Sequence, residues 1–432
     1  MGRSTISLDE AMNLENGFSK IRKKKRDRRN GSEAHNAWEF GFKGENVTDI
    51  ESKGNLVRVW APKTEIDKDV ARTLKSLALY PGVYPYVAIM PDFHIGESSV
   101  NGAVIPSENM LYVNAIGGDL GCGMSFVDLG VSVDSVRRKL NEIYGEIYEA
   151  VPTGKRFNVQ FDERLEKNEL FVQDLPLLNR TNKKLAMQQF GSLGRGNHFI
   201  ELQEGEQGQL GLMIHTGSRG IGHLIRNIGM KAGTALDSPR GLVVIEANSE
   251  EGEEYLRNIN FAVQYASKNR LEILMRVLGV LQGKSEELGR KSLEEVRENV
   301  IDVPHNLITQ ERHFGKDLYV HRKGAVNLLK GQLGIIPGSM GTHSYVVVGR
   351  GNVYSFNSCS HGAGRIMSRG KALNTVSPRD FESSMSGIVS RRDRSVYDEA
   401  PQAYKNIELV LGYQKDLVKR VSKWYPTLSI KG

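Results

Sequence analysis

The sequence predicts one large α/β domain, with central β-sheets and helices outside, behind a charged N-terminal segment. Three observations point there. Short apolar runs bounded by Gly, Pro and Asn recur as strands do, stretches with helical apolar spacing lie between them, and no internal repeat is present. At 432 residues, 39% of them hydrophobic, the chain can build a large core, which excludes a fibrous or wholly disordered protein.

Taken in order, residues 1–54 are polar, charged and poor in apolar periodicity. They are expected to form a basic, flexible appendage, with 55–432 as the body. LVRVWA, from Leu56, reads as a strand, and Asp67 to Leu79 carries helical spacing. VYPYVAIM, GAVIP, LYVNAI and MSFVDLG follow as short strands broken by Gly, Pro and Asn. Residues 133–195 read mainly as helices and loops, and strands return at HFIELQ and QLGLMIH. A charged, helix-rich stretch covers 251–300, short strands and glycine loops fill 315–370, and a helix is expected over about 401–423.

The net charge of +7 suggests a nucleic-acid partner, but its distribution matters more than its size. Residues 22–29, RKKKRDRR, hold seven basic groups against one acidic, a net +6, which leaves +1 for everything else. Such a run is a solvated tail by conformation and an electrostatic tether to phosphates by function, and the two are compatible. No run of eighteen apolar residues occurs, and MGRSTISLDE lacks an apolar signal core, so no membrane or export role is expected. Two cysteines, Cys122 and Cys359, point to a reducing, cytoplasmic setting.

The residues with chemistry centre on GGDLGCG, where Asp119 and Cys122 stand three apart among four glycines that let backbone approach a ligand. A free cysteine is most often a small buried hydrophobe. Beside a carboxylate, however, a thiolate needs a cation to stay ionised at neutral pH, and a metal supplies one. Several of the ten histidines (His94, His198, His215, His223, His305, His321 and His361) share one context, beside Gly, Asn or Arg where strands open into loops. Carboxylate, thiolate and imidazole together suit Mn²⁺, Zn²⁺, Fe²⁺ or Co²⁺ better than Ca²⁺ or Mg²⁺. One thiolate among several imidazoles also suits a two-metal centre for phosphoryl displacement.

Three segments look made for phosphates: TGSRG with Arg219 ahead of a helix, the Gly/Ser loop PGSMGTHS, and SHGAGR, which gathers His361, two glycines and Arg365. Each alone is an ordinary turn, and neither a Walker loop nor a Rossmann fingerprint is present.

As an ordered set, MPDFHIG, GGDLGCG, GNHFIE, HTGSRG, HN, HRKGA, PGSMGTHSYVV, SHGAGR and the terminal IKG resemble the RtcB-type RNA-splicing ligases from about Leu56 to Gly432. The resemblance implies an RtcB-like domain around a dinuclear metal site. It implies an enzyme that joins RNA 2′,3′-cyclic phosphate or 3′-phosphate ends to 5′-hydroxyl ends, with GTP and two Mn²⁺ ions. Carried over by position, the metal ligands are Asp119, Cys122, His198, His215 and His305, with Cys122 bridging. His361 becomes the nucleophile that takes up GMP, oriented by Asp92. Asn197, Glu201, Ser339, Ser344, Gly362, Ala363, Gly364, Tyr404 and Lys431 join His361 as GTP contacts. Arg219, Arg322 and Arg365 are expected at RNA phosphates. The implied partners are tRNA or another structured RNA with broken ends, and an activating protein.

Two departures from that pattern stand out. FHIGESSVNGAV replaces a glycine- and proline-rich run, placing Glu97 and two serines beside the expected mouth of the site, and Arg195 stands where the family commonly has a small residue. A metal-dependent RNA cyclic phosphodiesterase or phosphatase without ligation is the competing enzyme reading, and a non-catalytic RNA-binding protein the third.

Overall fold

Two antiparallel-rich sheets lie face to face in this computed structural model, which describes residues 44–53, 55–96, 100–158, 163–236 and 241–432. The six-stranded sheet runs in the order Thr48–Ser52, Asn55–Val59, Val87–Ile95, Val100–Ser107, Lys316–Lys323, Asn306–His313, with one parallel pair between its second and third strands. The eight-stranded sheet runs Ile301–Pro304, Gly123–Ser132, Gln209–Thr216, Phe199–Gly205, Val418–Lys431, Ser344–Gly349, Leu333–Ile336, and the short Val389–Ser390 lies parallel to Val418–Lys431. The described residues all fall in one compact unit of mixed α/β architecture.

Period-two alternation explains the layering. In Gly123–Ser132, Met124 and Phe126 face the space between the sheets, and Val127, Leu129 and Val131 face the opposite way. The inter-sheet core joins Met90 and Leu318 of one sheet, with Trp60 and Tyr86 flanking its strands, to Met213, Val346 and Trp424 of the other. On the outer face of the eight-stranded sheet, helices Leu140–Ala150 and Glu250–Gln282 bury Ile143, Ile147, Ile273, Leu274 and Leu278. On the outer face of the other, helix Lys68–Leu77 buries Leu74 and Leu77, capped by Asp67, whose side chain accepts from the backbone N–H of Asp69 and Val70. The 33-residue helix Glu250–Gln282 opens on a Ser249 cap with Glu250, Glu251 and Glu253 in its first turn, where carboxylates favour the helix dipole.

Two boundaries differ from the sequence reading. Thr48–Ser52, inside the expected appendage, pairs with Asn55–Val59 as an edge strand; its one apolar residue, Ile50, left no pattern to read. The basic segment 22–29 lies outside the described residues. The helix expected over 401–423 is confined to Ile407–Tyr413, and Val418–Lys431 is a strand between Phe199–Gly205 and Ser344–Gly349. Ladder pairing on both sides outweighs helical spacing there. No helix among the described residues is long and apolar enough to cross a membrane.

Arg322, expected at an RNA phosphate, is a structural residue instead. It is fully buried, and its five N–H donors are used on Ser358 Oγ, Thr309 Oγ1, both oxygens of Glu311 and the Phe356 carbonyl. Partial burial pushes the Glu311 carboxyl up, but the hydrogen bond from His313 and the Arg322 charge outweigh it and hold the group down to about 2, against an ordinary 4.5. A depressed folded-state value means that the stability it contributes is complete above about pH 4.5 and is lost as the pH falls toward about 2. Thermal melts at about pH 5 and about pH 3 should therefore show a larger drop for the wild type than for Glu311→Gln. Equal drops would remove this cluster as an acid-sensitive element.

Candidate metal centre and active site

The site forms at a seam where strands of both sheets end. His305 sits between Ile301–Pro304, paired to Gly123–Phe126, and Asn306–His313, paired to Lys316–Lys323. Its N–H donates to the Cys122 carbonyl (2.8 Å). Register puts His215 opposite Met124 and Phe199, so His215 reaches the same seam from the end of its strand. The Asp119–Cys122 turn is held by Asn306, whose backbone carbonyl accepts from Gly121 N (2.7 Å) and whose side-chain N–H donates to the Asp119 carbonyl (3.1 Å). Gly217 is required beside it, because a Cβ there would lie 2.1 Å from Asp119 Oδ1.

The donors fall into two triads, Cys122–His215–His305 and Asp119–Cys122–His198, which share Cys122. Cys122 Sγ lies 3.2 Å from His215 Nε2 and 3.5 Å from His198 Nε2. His198 Nε2 is 2.9 Å from Asp119 Oδ2, and His215 Nε2 is 3.4 Å from His305 Nε2. Tautomers follow from the outer contacts: Nδ1 of His198 donates to the Leu193 carbonyl and Nδ1 of His215 to the Asn197 carbonyl, each at 3.0 Å. Both Nε2 lone pairs therefore meet the shared sulfur, that of His198 beside the Asp119 carboxylate and that of His215 beside the His305 imidazole, an arrangement that calls for cations between them. Burial keeps His215 and His305 well below the usual imidazole range, hence neutral and able to ligate. Burial and the Asp119 charge raise the Cys122 thiol, so its ionisation needs the metal. Burial works against the ionised Asp119, but with no metal present a protonated His198 holds it below the ordinary carboxylate range. The two triads, which share Cys122, are a donor set that fits metal cations.

His361 stands beside this cluster, its ring centroid 4.8 Å from that of His305. Gly324, at φ +63°, makes room, since a Cβ there would lie 3.0 Å from His361 Cε1. His361 Nδ1 is 2.6 Å from Asp92 Oδ2, a short contact not aligned as a hydrogen bond. The same oxygen accepts the backbone N–H of His361 (3.1 Å) and Gly362 (3.3 Å), so Asp92 fixes the loop as well as the ring.

Asp119, Cys122, His215, His305 and His361 line one cavity of about 320 Å³, with His198 and Asp92 behind its lining. Of the expected nucleotide contacts, Asn197, Glu201, Ser339, Gly362, Ala363, Gly364, Tyr404 and Lys431 line it too. Ser344 does not: it lies beneath the lining, its Oγ accepting from Gly338 N (3.2 Å) and Gln203 Nε2 (3.3 Å). Glu201 is buried, its two oxygens accepting from Ser429 Oγ (2.9 Å) and Gln203 Nε2 (3.0 Å); burial raises its carboxyl, and Lys431 opposes that. Arg365 lines the cavity, whereas Arg219 does not; its side chain runs past Gly194 to Ser192 Oγ (3.3 Å). Glu97 lies outside the described residues, and Arg195 is exposed beside Asn197.

Several lining residues escaped the sequence reading, Lys323, Arg369 and Glu399 among them. Lys323 was within reach, since HRKGA had been noted, and its ammonium is shifted down by burial and up by Asp119. Glu399, in DEAPQ, gave no signal. It is buried and takes Tyr404 OH (2.5 Å), Arg369 (2.8 Å), Arg365 (3.0 Å) and Lys431 (3.6 Å), a carboxylate that gathers three cations in the cavity lining.

The chain matches the family described as tRNA-splicing ligase RtcB over residues 73–432. It is 35% identical over 401 residues to the RNA-splicing ligase RtcB of Escherichia coli, covering 87% of this chain and 97% of that protein. It is 30% identical to the tRNA-splicing ligases RtcB of Methanococcus maripaludis and Thermococcus kodakarensis, over 85% and 87% of this chain and 92% and 94% of theirs.

Sharing of Cys122 makes a specific metal-content prediction. After equilibration with Mn²⁺ and gel filtration, Cys122→Ser should lose affinity for both ions and His198→Ala for one, by about 10–100-fold or more. Elemental analysis that found both ions retained in Cys122→Ser would sink the shared-thiolate arrangement.

Proposed function

The chain belongs to the tRNA-splicing ligase RtcB family, and from that premise we propose that it is a GTP- and Mn²⁺-dependent RNA ligase working through a guanylylated His361. It would join 2′,3′-cyclic phosphate or 3′-phosphate ends to 5′-hydroxyl ends. The observation that carries the reading is the placement of His361, backed by Asp92 on Nδ1 and flanked by the shared-cysteine donor cluster, in the cavity that also holds Glu201 and Lys431.

The Asp92 carboxylate favours a proton on Nδ1 of His361 and so leaves the lone pair on Nε2. That lone pair attacks the α-phosphorus of GTP; the P–N bond forms as the P–O bond to pyrophosphate breaks. Divalent cations, when bound, neutralise the charge developing on the phosphates. Asn197 would hold the α-phosphate, Glu201, Tyr404 and Lys431 would hold the guanine, and Ser339, Gly362, Ala363 and Gly364 would contact the nucleotide between them. Ser344 would act indirectly, by fixing Gly338. GMP then passes from His361 to an RNA 3′-phosphate, itself formed by hydrolysis of a cyclic phosphate. Attack of the 5′-hydroxyl oxygen on the activated phosphorus releases GMP and closes the strand. Arg365 and Arg219 remain candidates for RNA phosphates, Arg365 at the expense of a bond to Glu399. Segment 22–29 would tether the RNA, and an activating protein would assist turnover.

The donor cluster alone could also serve an end-processing phosphoesterase, and the experiment separates the two. With Mn²⁺ and GTP labelled at the α-phosphate, the wild type should retain label that is stable to alkali and labile to acid, as a phosphoramidate is. His361→Ala should retain none, and Asp92→Asn should form it more slowly, on the order of 100-fold, the penalty for a misplaced reacting group. Full labelling of His361→Ala would overturn the assignment of the nucleophile. RNA product formed without GTP would favour the phosphoesterase.

A further inference from the structure

Arg270 lies in the middle of helix Glu250–Gln282 and is fully buried. Nη1 donates to the Gly121 carbonyl (2.9 Å) and the Thr216 carbonyl (3.0 Å), carbonyls of the residues next to Cys122 and His215 in the chain. Nε and Nη2 form a fork on Asp302, at 2.6 and 2.8 Å, three residues before His305 on the Ile301–Pro304 strand. Asp302 is itself braced by Ser125 Oγ (2.5 Å) and Ser267 Oγ (2.8 Å). Asp302 alone would serve to neutralise the guanidinium. The two added carbonyls belong to different segments of the chain, and each is on a residue next to a candidate ligand.

We propose that Arg270 is the positioning residue of the metal centre, one buried guanidinium that holds the segments bearing Cys122, His215 and His305 at the spacing the cations require. None of the three can shift alone without leaving part of a buried charge unpaired, which is far more costly than breaking a surface contact. A planar fork with five fixed donors does this, whereas the ammonium of a lysine cannot span the same three partners. The inference rests on the donor cluster and stands whether or not the ligation reading does.

Co²⁺ serves as the probe on the full-length chain, because its thiolate charge-transfer and ligand-field bands report donor geometry without GTP or RNA. Arg270→Lys and Arg270→Gln should weaken Co²⁺ binding by about 10–100-fold and alter both sets of bands. Asp302→Asn leaves the bonds to Gly121 and Thr216 in place, so it should weaken mainly the ion held by Cys122, His215 and His305. Arg276→Gln is the control. Arg276, on the same helix, bonds Glu272, Asn158 and the Gly191 carbonyl, none of them beside a ligand. Its loss should lower the melting temperature and leave the cobalt spectrum unchanged. Wild-type bands and affinity in Arg270→Lys would overturn the proposal; if that variant does not fold, the same result in Asp302→Asn does. Equal weakening by Arg276→Gln would also overturn it, by showing the effect to be general destabilisation.

Discussion

The chain leaves one sheet and enters the other across a single residue, His305, and the rest of the site depends on that crossing. Residue 304 still pairs with Gly123 in one sheet, and residue 306 already pairs with Lys323 in the other. A junction this short brings the two sheet edges together and leaves a histidine in the gap. The neighbouring turn is then drawn in by main-chain bonds from His305 to Cys122 and from Gly121 to Asn306. Backbone hydrogen bonds here do what side-chain packing does elsewhere, since a buried N–H or C=O left unpaired is costly. His215 and His305 are therefore placed by ladder geometry, and Cys122 and His198 stand immediately before strands Gly123–Ser132 and Phe199–Gly205, at the ends of the same ladders.

Two parts of the cavity solve different electrostatic problems. The donor wall collects lone pairs on neutral imidazoles, a carboxylate and a thiol, and is complete only with cations. Elsewhere in the lining, Arg365, Arg369 and Lys431 gather around buried Glu399, with Asp398 also paired to Arg369 and Glu201 set against Lys431, so the cations are already matched by carboxylates. Glu399 keeps those cations packed and oriented, at the cost of part of their attraction for an anion.

Much of this was legible from residues whose chemistry is visible in one dimension. Asp119 and Cys122 showed themselves through the glycines around them, and the scattered histidines through their common position at strand ends. Period-two apolar runs gave the strands of both sheets. What stayed hidden depends on partners far away in sequence. Glu399 is an unremarkable acid until Arg365, Arg369 and Lys431 surround it, and Arg270 looks like any charge on a solvated helix until it is found pointing inward at two carbonyls. Arg322 shows the converse: it shares a motif with Lys323, which lines the cavity, yet alternation turns it away into the bonds of Glu311. The 418–431 segment carries apolar residues at spacings that suit either period, and only its two neighbours in the sheet decide between them.

That strand has a consequence for how the protein is made. It occupies an interior position of the eight-stranded sheet, and residue 424 pairs with residue 205. Emerging from a ribosome, the Phe199–Gly205 strand must wait, one ladder edge open, while more than half of that sheet's span of chain is synthesised. Pairings this distant in sequence close slowly, because the loop entropy is lost before the contacts form. The nascent chain therefore carries an exposed strand edge late into synthesis, and its Glu201 and Lys431 meet only when that edge is filled.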